Sequence, residues 1–278
     1  MIAEFERATG RRVIGNAPSE GLRAIFDHGE RHLRTGELIV YTSQDSVFQI
    51  AAHTEVVGEE ELYEYCLAAR AILSGEHAAG RVIARPFDGA PGRFRRTGGR
   101  RDFALPPPGR SYLEEIQDAG LPVHTVGKVG QVFAGRGVSF DHHAPDNPSA
   151  IDAIDRLLTE PGAALVFANL VDTDQVYGHR KDVQGFAAAL REIDAAVARW
   201  LVDIGEGDLL ILCADHGVDP AHPGTDHTRE YSPLLAVFAG QDGRRVDGPL
   251  ASIGASVLRW LTGRASDELP GEAFVPDS

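Results

Sequence analysis

Leu209-Leu210-Ile211-Leu212-Cys213-Ala214-Asp215-His216-Gly217 is an apolar run that stops on an acid and a histidine. Short apolar runs of this kind read as strands buried on both faces. Immediately before it, Asp182 to Asp203 reads as an amphipathic helix with Phe186, Leu190, Ile193, Val197 and Trp200 on one stripe, capped by Asp182. Before that helix, Ala164 to Leu170 is a second apolar run. It too ends on acids and a histidine, in Val171-Asp172-Thr173-Asp174-Gln175-Val176-Tyr177-Gly178-His179-Arg180. Strand, helix and strand in this order form the unit from which parallel sheets are built.

The same alternation continues outward. Upstream lie a helix over Ser149 to Thr159, entered at Ser149, a strand over Pro122 to Lys128 and a helix over Tyr112 to Ala119. Downstream come a strand over Leu234 to Ala239 and a helix over Ile253 to Leu261. The fold class is therefore α/β, a mostly parallel sheet with helices on both faces. Pro106-Pro107-Pro108 makes a stiff break and divides the chain into residues 1–106 and 107–278. The first part mixes short strands, over Glu37 to Thr42 and Arg81 to Ala84, with a helix over Glu59 to Ser74. It ends in a Gly- and Arg-rich stretch, Gly89 to Arg101, that reads as a loop.

Composition narrows the function. The chain has 278 residues, 43% hydrophobic and 24% charged, enough for one large domain or two modest ones with real cores. A formal net charge of −14 disfavours a general nucleic-acid binder. Against that background Arg81, Arg85, Arg93, Arg95, Arg96, Arg100 and Arg101 form a basic cluster suited to one small anionic ligand. Two cysteines, Cys66 and Cys213, lie in apolar stretches and read as buried thiols rather than a disulfide. No signal pattern or membrane-length apolar run is present, so the chain is read as a cytoplasmic monomer with no membrane or nucleic-acid partner.

In parallel α/β sheets, functional residues collect just past the C-terminal ends of strands. Asp172, Asp174 and His179 follow one strand; Asp215 and His216 follow another, with Gly224-Thr225-Asp226-His227-Thr228-Arg229-Glu230 close behind. Any one of these could be a cap or a loop hydrogen-bonder. Two clusters at two successive strand ends of one sheet argue for a site. Carboxylate oxygen and imidazole nitrogen, without thiolate, suit zinc or manganese. Two such ions about 4 Å apart can share a phosphate. His142-His143 reads as a loop feature, because adjacent residues of an extended chain point opposite ways. Ser43, Asp45 and Ser46 are either turn formers or sugar-hydroxyl binders. No phosphate loop of the P-loop or dinucleotide type is present.

Several longer segments carry a resemblance. They include Thr9-Gly10-Arg11-Arg12-Val13-Ile14-Gly15-Asn16, Ile39-Val40-Tyr41-Thr42-Ser43 with Asp45-Ser46-Val47, Gly80-Arg81-Val82-Ile83-Ala84-Arg85-Pro86-Phe87 and Val126-Gly127-Lys128. With both acid-and-histidine segments, they resemble the bacterial phosphopentomutases of the alkaline phosphatase-like superfamily. The resemblance implies one Mn2+ on Asp174, His179 and His227 and a second on Asp215 and His216, with Asp172 a neighbour. It implies that residues 1–106 are a smaller α+β cap domain closing over the sugar phosphate. Ser43, Asp45, Val47, Arg81 and Ile83 would contact the ribose phosphate. Lys128, with Arg96 or Arg100, would meet its phosphate. The family interconverts ribose 1-phosphate and ribose 5-phosphate, and the deoxyribose equivalents, through a phosphothreonine, primed by a sugar bisphosphate.

The departures from the family pattern are specific. No residue matches the family's threonine nucleophile or the Asp-bearing first strand that completes the second metal site, so the core is expected to be N-terminally incomplete. The five ligands do not complete two ordinary sites, and the chain alone is expected to be unstable or inactive. Ser19-Glu20-Gly21-Leu22 also stands where Ala-Ser-Gly-Thr is expected.

Overall fold

The computed structural model describes residues 1–42, 47–224, 227–239 and 243–276. They form two compact units, Met1–Pro106 and Pro107–Ser278.

In the first unit the elements are α1 (Ile2–Thr9), β1 (Val13–Pro18), α2 (Gly21–Thr35), β2 (Leu38–Thr42), β3 (Val47–His53), α3 (Glu59–Ile72), β4 (Arg81–Asp88), β5 (Arg95–Arg96) and β6 (Arg101–Ala104). The strands make one mixed sheet in the order β1-β2-β3-β4-β5, with β6 also on β4. β3 is buried at every position and is the spine of the sheet. Pleating divides the side chains between two faces. Leu38, Val40, Phe48, Ile50, Val82 and Ala84 pack with Phe5 of α1 and Leu62, Cys66 and Ala69 of α3. Ile39, Ala51 and Phe87 pack with Ala24 and Ile25 of α2. The expected loop from Gly89 to Arg101 contains β5, held antiparallel to the end of β4 through Phe87 and Asp88.

Two histidines lock α2 to this sheet. His53 donates its backbone N–H to His32 Nε2 at 2.8 Å, so the other ring nitrogen of His32 carries the proton and donates to Glu37 O at 2.6 Å. Burial pushes the His32 pKa below the ordinary 6.5. A protonated ring could no longer accept from His53. Below the ordinary value the unfolded chain binds more protons than the folded one, so stability rises with pH there. The urea midpoint of the wild type is therefore expected to fall as pH drops from 7.5 through about 6.5. His32→Gln should flatten that dependence. An equally steep fall in the variant would assign the acid sensitivity to other groups.

The second unit contains α4 (Tyr112–Asp118), β7 (Val123–Val126), α5 (Val129–Val132), β8 (Phe140–His142), α6 (Asn147–Thr159), β9 (Leu165–Ala168), a π-helical turn (Thr173–Gly178), α7 (Val183–Asp203), β10 (Leu209–Cys213), β11 (Leu234–Phe238) and α8 (Ala251–Thr262). β8, β7 and β9 form a wholly parallel sheet. One face packs Val123 and Leu165 on α4 and α8; the other packs Val126, Val166 and Ala168 on α6 and α7.

Three details differ from the sequence reading. β10 and β11 pair antiparallel and apart from that sheet, a pairing direction that an apolar run does not encode. α6 begins at Asn147, not Ser149: Asp146 is its N-cap and Ser149 is the third helical residue of a reciprocal capping box. Cys66 is buried, but Cys213, the last residue of β10, is exposed, because that pair is covered less completely than the central strands.

Candidate metal centre

β9 delivers its chain to a turn built for convergence. Asp172 Oδ2 accepts from Asn147 N at 3.1 Å, and Asp172 N donates to Asn147 Oδ1 at 3.0 Å. This buried exchange ties the end of β9 to the start of α6. The chain then winds as a π-helical turn, in which His179 N donates to Asp174 O at 3.2 Å. That i to i+5 closure sets residues 174 and 179 on one side, and His179 Nε2 lies 3.2 Å from Asp174 Oδ1. π-turns of this sort are concentrated at functional sites. Gly178 is required within it: a Cβ there would lie 2.6 Å from Val218 Cγ2 and 2.7 Å from Thr173 O.

β10 delivers the second cluster. Asp215 and His216 follow it, and a bridge between Gly217 and Thr228, with Thr228 N donating to Gly217 O at 2.9 Å, folds the next segment back. The bridge stacks His227 on His216 with ring centroids 3.6 Å apart. His227 Nε2 reaches the same Asp174 Oδ1 at 3.2 Å. Asp174, His216 and His227 each offer one donor atom, all within 4.8 Å of one another. Asp215 stands beside His216, Oδ2 to Nε2 3.5 Å, with its carboxylate largely exposed.

One carboxylate oxygen facing imidazole nitrogens from two segments is a donor set for a borderline or hard divalent cation. Two buried polar atoms of neighbouring residues, Asp172 Oδ1 and Thr228 Oγ1, have no hydrogen-bond partner among the described residues. Buried polar atoms are rarely left so. Of the five residues named from sequence, Asp174, His216 and His227 converge, a grouping that crosses the expected division between two ions; His179 reaches Asp174 Oδ1 and Asp215 borders His216. β9 and β10 lie in different sheets, not at two strand ends of one.

Other candidates fall elsewhere. Lys128 follows Gly127 past the C-terminal end of β7 and is the N-cap residue of α5. His142 faces His124, Nε2 to Nδ1 3.1 Å, while His143 is exposed. In the first unit, register puts Val47 beside Arg81, and Gln49, Ile83 and Asp102 in one row across the sheet. Arg81 and Arg100 both address Asp102, at 3.7 and 2.7 Å. Arg96 lies 3.8 Å from Glu20. Arg95 pairs with Asp88 and Arg101 stacks over Tyr63, so neither joins that group. Ser43 and Asp45, and Thr225 and Asp226 of the second metal segment, lie outside the described residues.

Residues 111–263 match the model of the metalloenzyme superfamily. The phosphopentomutase of Lachnoclostridium phytofermentans is 44% identical over 280 residues, covering all of this chain and 71% of the relative. The chain belongs to the phosphopentomutase family. The family's Caldanaerobacter subterraneus member is 52% identical over 235 residues, covering 84% of this chain. The Symbiobacterium thermophilum phosphopentomutase is 48% identical over 268 residues, covering 94% of this chain and 67% of the relative. The match spans about 60% of the length of the Caldanaerobacter phosphopentomutase. Membership in this metalloenzyme family agrees with the donor set, and the superfamily match contains Asp174, His179, Asp215, His216 and His227. Among the described residues no helix is long and apolar enough to cross a membrane.

Proposed function

We propose that this chain supplies the metal-holding and sugar-phosphate-recognising parts of a phosphopentomutase, which interconverts (deoxy)ribose 1-phosphate and (deoxy)ribose 5-phosphate. The observation that carries the reading is the convergence of His179 and His227 on Asp174 Oδ1, with His216 stacked alongside. Asp174, His179 and His227 would hold one Mn2+, and Asp215 and His216 a second. When bound, such ions neutralise charge on a transferring phosphoryl group. Asp172 keeps the turn in place through Asn147, so the ligands need little rearrangement. Within the first unit, Val47, Arg81, Ile83, Arg96 and Arg100 would bind the sugar phosphate; within the second, Lys128 would be a phosphate contact by sequence resemblance alone. Ser43 and Asp45 belong to the same proposal by sequence alone.

The test is a coupled assay of ribose 1-phosphate conversion with Mn2+ and a sugar bisphosphate primer. This chain is expected to bind Mn2+ and ribose 5-phosphate, and turnover is measured with and without an added threonine-bearing segment of a phosphopentomutase. Binding with no turnover even after that addition would instead favour a non-catalytic member that holds metal or sugar phosphate. Failure to bind either ligand would overturn the proposal.

A further inference from the structure

Tyr41 ends the apolar run of β2 and is 2% exposed, yet its hydroxyl has no hydrogen-bond partner among the described residues. Leaving a buried hydroxyl unpaired is costly, so an orphan of this kind calls for a reason. Its surroundings supply one. Tyr41 is in register with Gln49 of β3, which is in register with Ile83 of β4, so the three side chains share one face of the sheet. Two residues beyond Ile83 on that face is Arg85, which donates its Nε–H to Gln49 Oε1 at 3.0 Å. Phe87, next on the face, is in register with Arg96 of β5. The Arg96 guanidinium and the Tyr41 hydroxyl meet at Gly21, the first residue of α2. A Cβ on Gly21 would lie 2.1 Å from an Arg96 amino nitrogen and 2.8 Å from Tyr41 Oη.

Among the described residues the charges here are unbalanced. Burial lowers the Arg85 pKa and Arg100 adds to the effect, the mark of like charges crowded in a half-dry place. Burial raises the Tyr41 pKa, so the phenol remains a neutral donor at neutral pH, and Arg85, Arg96 and Arg100 only partly oppose this. Among the described residues the nearby carboxylates are Asp102, bound by both oxygens to Arg100, and Glu20, which caps α2 and lies 3.8 Å from Arg96. Glu20 is 70% exposed and can swing into water. The N-terminus of α2 adds partial positive charge to the same spot.

We propose that Tyr41 Oη, Arg85 and Arg96, at the start of α2, form a recess for a phosphate dianion, in which the tyrosine hydroxyl donates to a phosphate oxygen. This extends the sugar-phosphate reading and rests on it: Tyr41 and Arg85 join Arg96 as phosphate-binding residues, and Glu20 competes with the ligand for Arg96.

The experiment is calorimetric titration of the full chain with inorganic phosphate and, separately, with ribose 5-phosphate. The variants are Tyr41→Phe, Arg85→Met, Arg96→Ala and Glu20→Ser. A hydrogen bond to an ionised group is among the stronger ones, so Tyr41→Phe is expected to weaken both ligands about tenfold. Without ligand the same variant should melt at the wild-type temperature or above, because an orphan hydroxyl has been removed. Arg85→Met should weaken both ligands at least as much. Glu20→Ser, which keeps a capping side chain and removes the charge, should tighten them. Weakening of both ligands assigns the recess to the phosphate itself; weakening of ribose 5-phosphate alone would show that Tyr41 meets the sugar and would overturn the assignment. If Arg96→Ala abolishes binding while Tyr41→Phe and Arg85→Met leave it unchanged, the recess falls and the sugar-phosphate reading stands. If the wild type binds neither ligand, both fall.

Discussion

Replacing Asp174 by alanine is expected to remove tight Mn2+ binding from the chain. One oxygen, Asp174 Oδ1, faces His179 Nε2 and His227 Nε2 at 3.2 Å each, so this carboxylate is the point that joins the two ligand segments. Changing groups that merely orient metal ligands costs 10–100-fold in affinity, and loss of the shared ligand should cost at least about a hundredfold. Asp215→Ala should cost less, because that carboxylate is 76% exposed and stands at the margin of the cluster. Titration calorimetry reads the affinities directly. Thermal melting gives an independent check: a ligand at a hundred times its Kd stabilises by about 2.7 kcal/mol, so Mn2+ should raise the wild-type melting temperature and leave that of Asp174→Ala in place. His143→Ala, at an exposed position outside the cluster, should behave as wild type. A variant lacking Asp174 that binds Mn2+ as the wild type does would show that the ion is held elsewhere.

The second large effect belongs to the first unit. Phe87→Ala is expected to cost about 3–5 kcal/mol, against a total stability of about 5–15 kcal/mol for a typical domain. The Phe87 ring is fully buried and meets Phe94 and His53 edge-on, with centroids 5.3 Å away in each case, and His32 at 5.8 Å. Deleting it opens a cavity between the sheet and α2 at the place where β5 is paired, so Arg96 should lose its position as well. Urea unfolding should show the loss as a lower midpoint, and phosphate affinity should fall with it. Phe87→Leu should cost much less on both counts. An unchanged midpoint in Phe87→Ala would mean that the face between α2 and the sheet contributes little to the stability of this unit.

Much of the metal centre is legible in the sequence, for a definite reason. Asp172 and Asp174 directly follow the apolar run of β9, and the end of a strand is where a parallel sheet presents polar residues; Asp215 and His216 follow β10, which pairs antiparallel outside that sheet, so only the apolar run ending on an acid and a histidine marks them. His179 is less accessible to that logic. It lies five residues beyond Asp174, a separation that an α-helical period does not bring to one side and a π-turn does. His227 depends on the bridge between Gly217 and Thr228, which is tertiary and leaves no local periodicity. The direction of pairing between β10 and β11 is equally silent, because both strands are plain apolar runs. The arginines illustrate the same limit. Arg81 and Arg85 share a face by simple alternation, but Arg96 and Arg100 join them through pairing and ion contacts, while Arg101, adjacent in sequence to Arg100, turns to Tyr63 on the opposite face. Tyr41 gives no signal at all in the sequence; its unpaired hydroxyl becomes visible only once β2 is set against Gly21 and Arg96.

Asp174, His179 and His227 are expected to act together on one ion. Pulsed electron paramagnetic resonance of the full chain with one equivalent of Mn2+ tests this directly. Nitrogen couplings from two imidazoles are expected, reduced to one in His179→Ala and likewise in His227→Ala. A spectrum of fully hydrated Mn2+, or nitrogen couplings unchanged in both variants, would contradict that shared ligation.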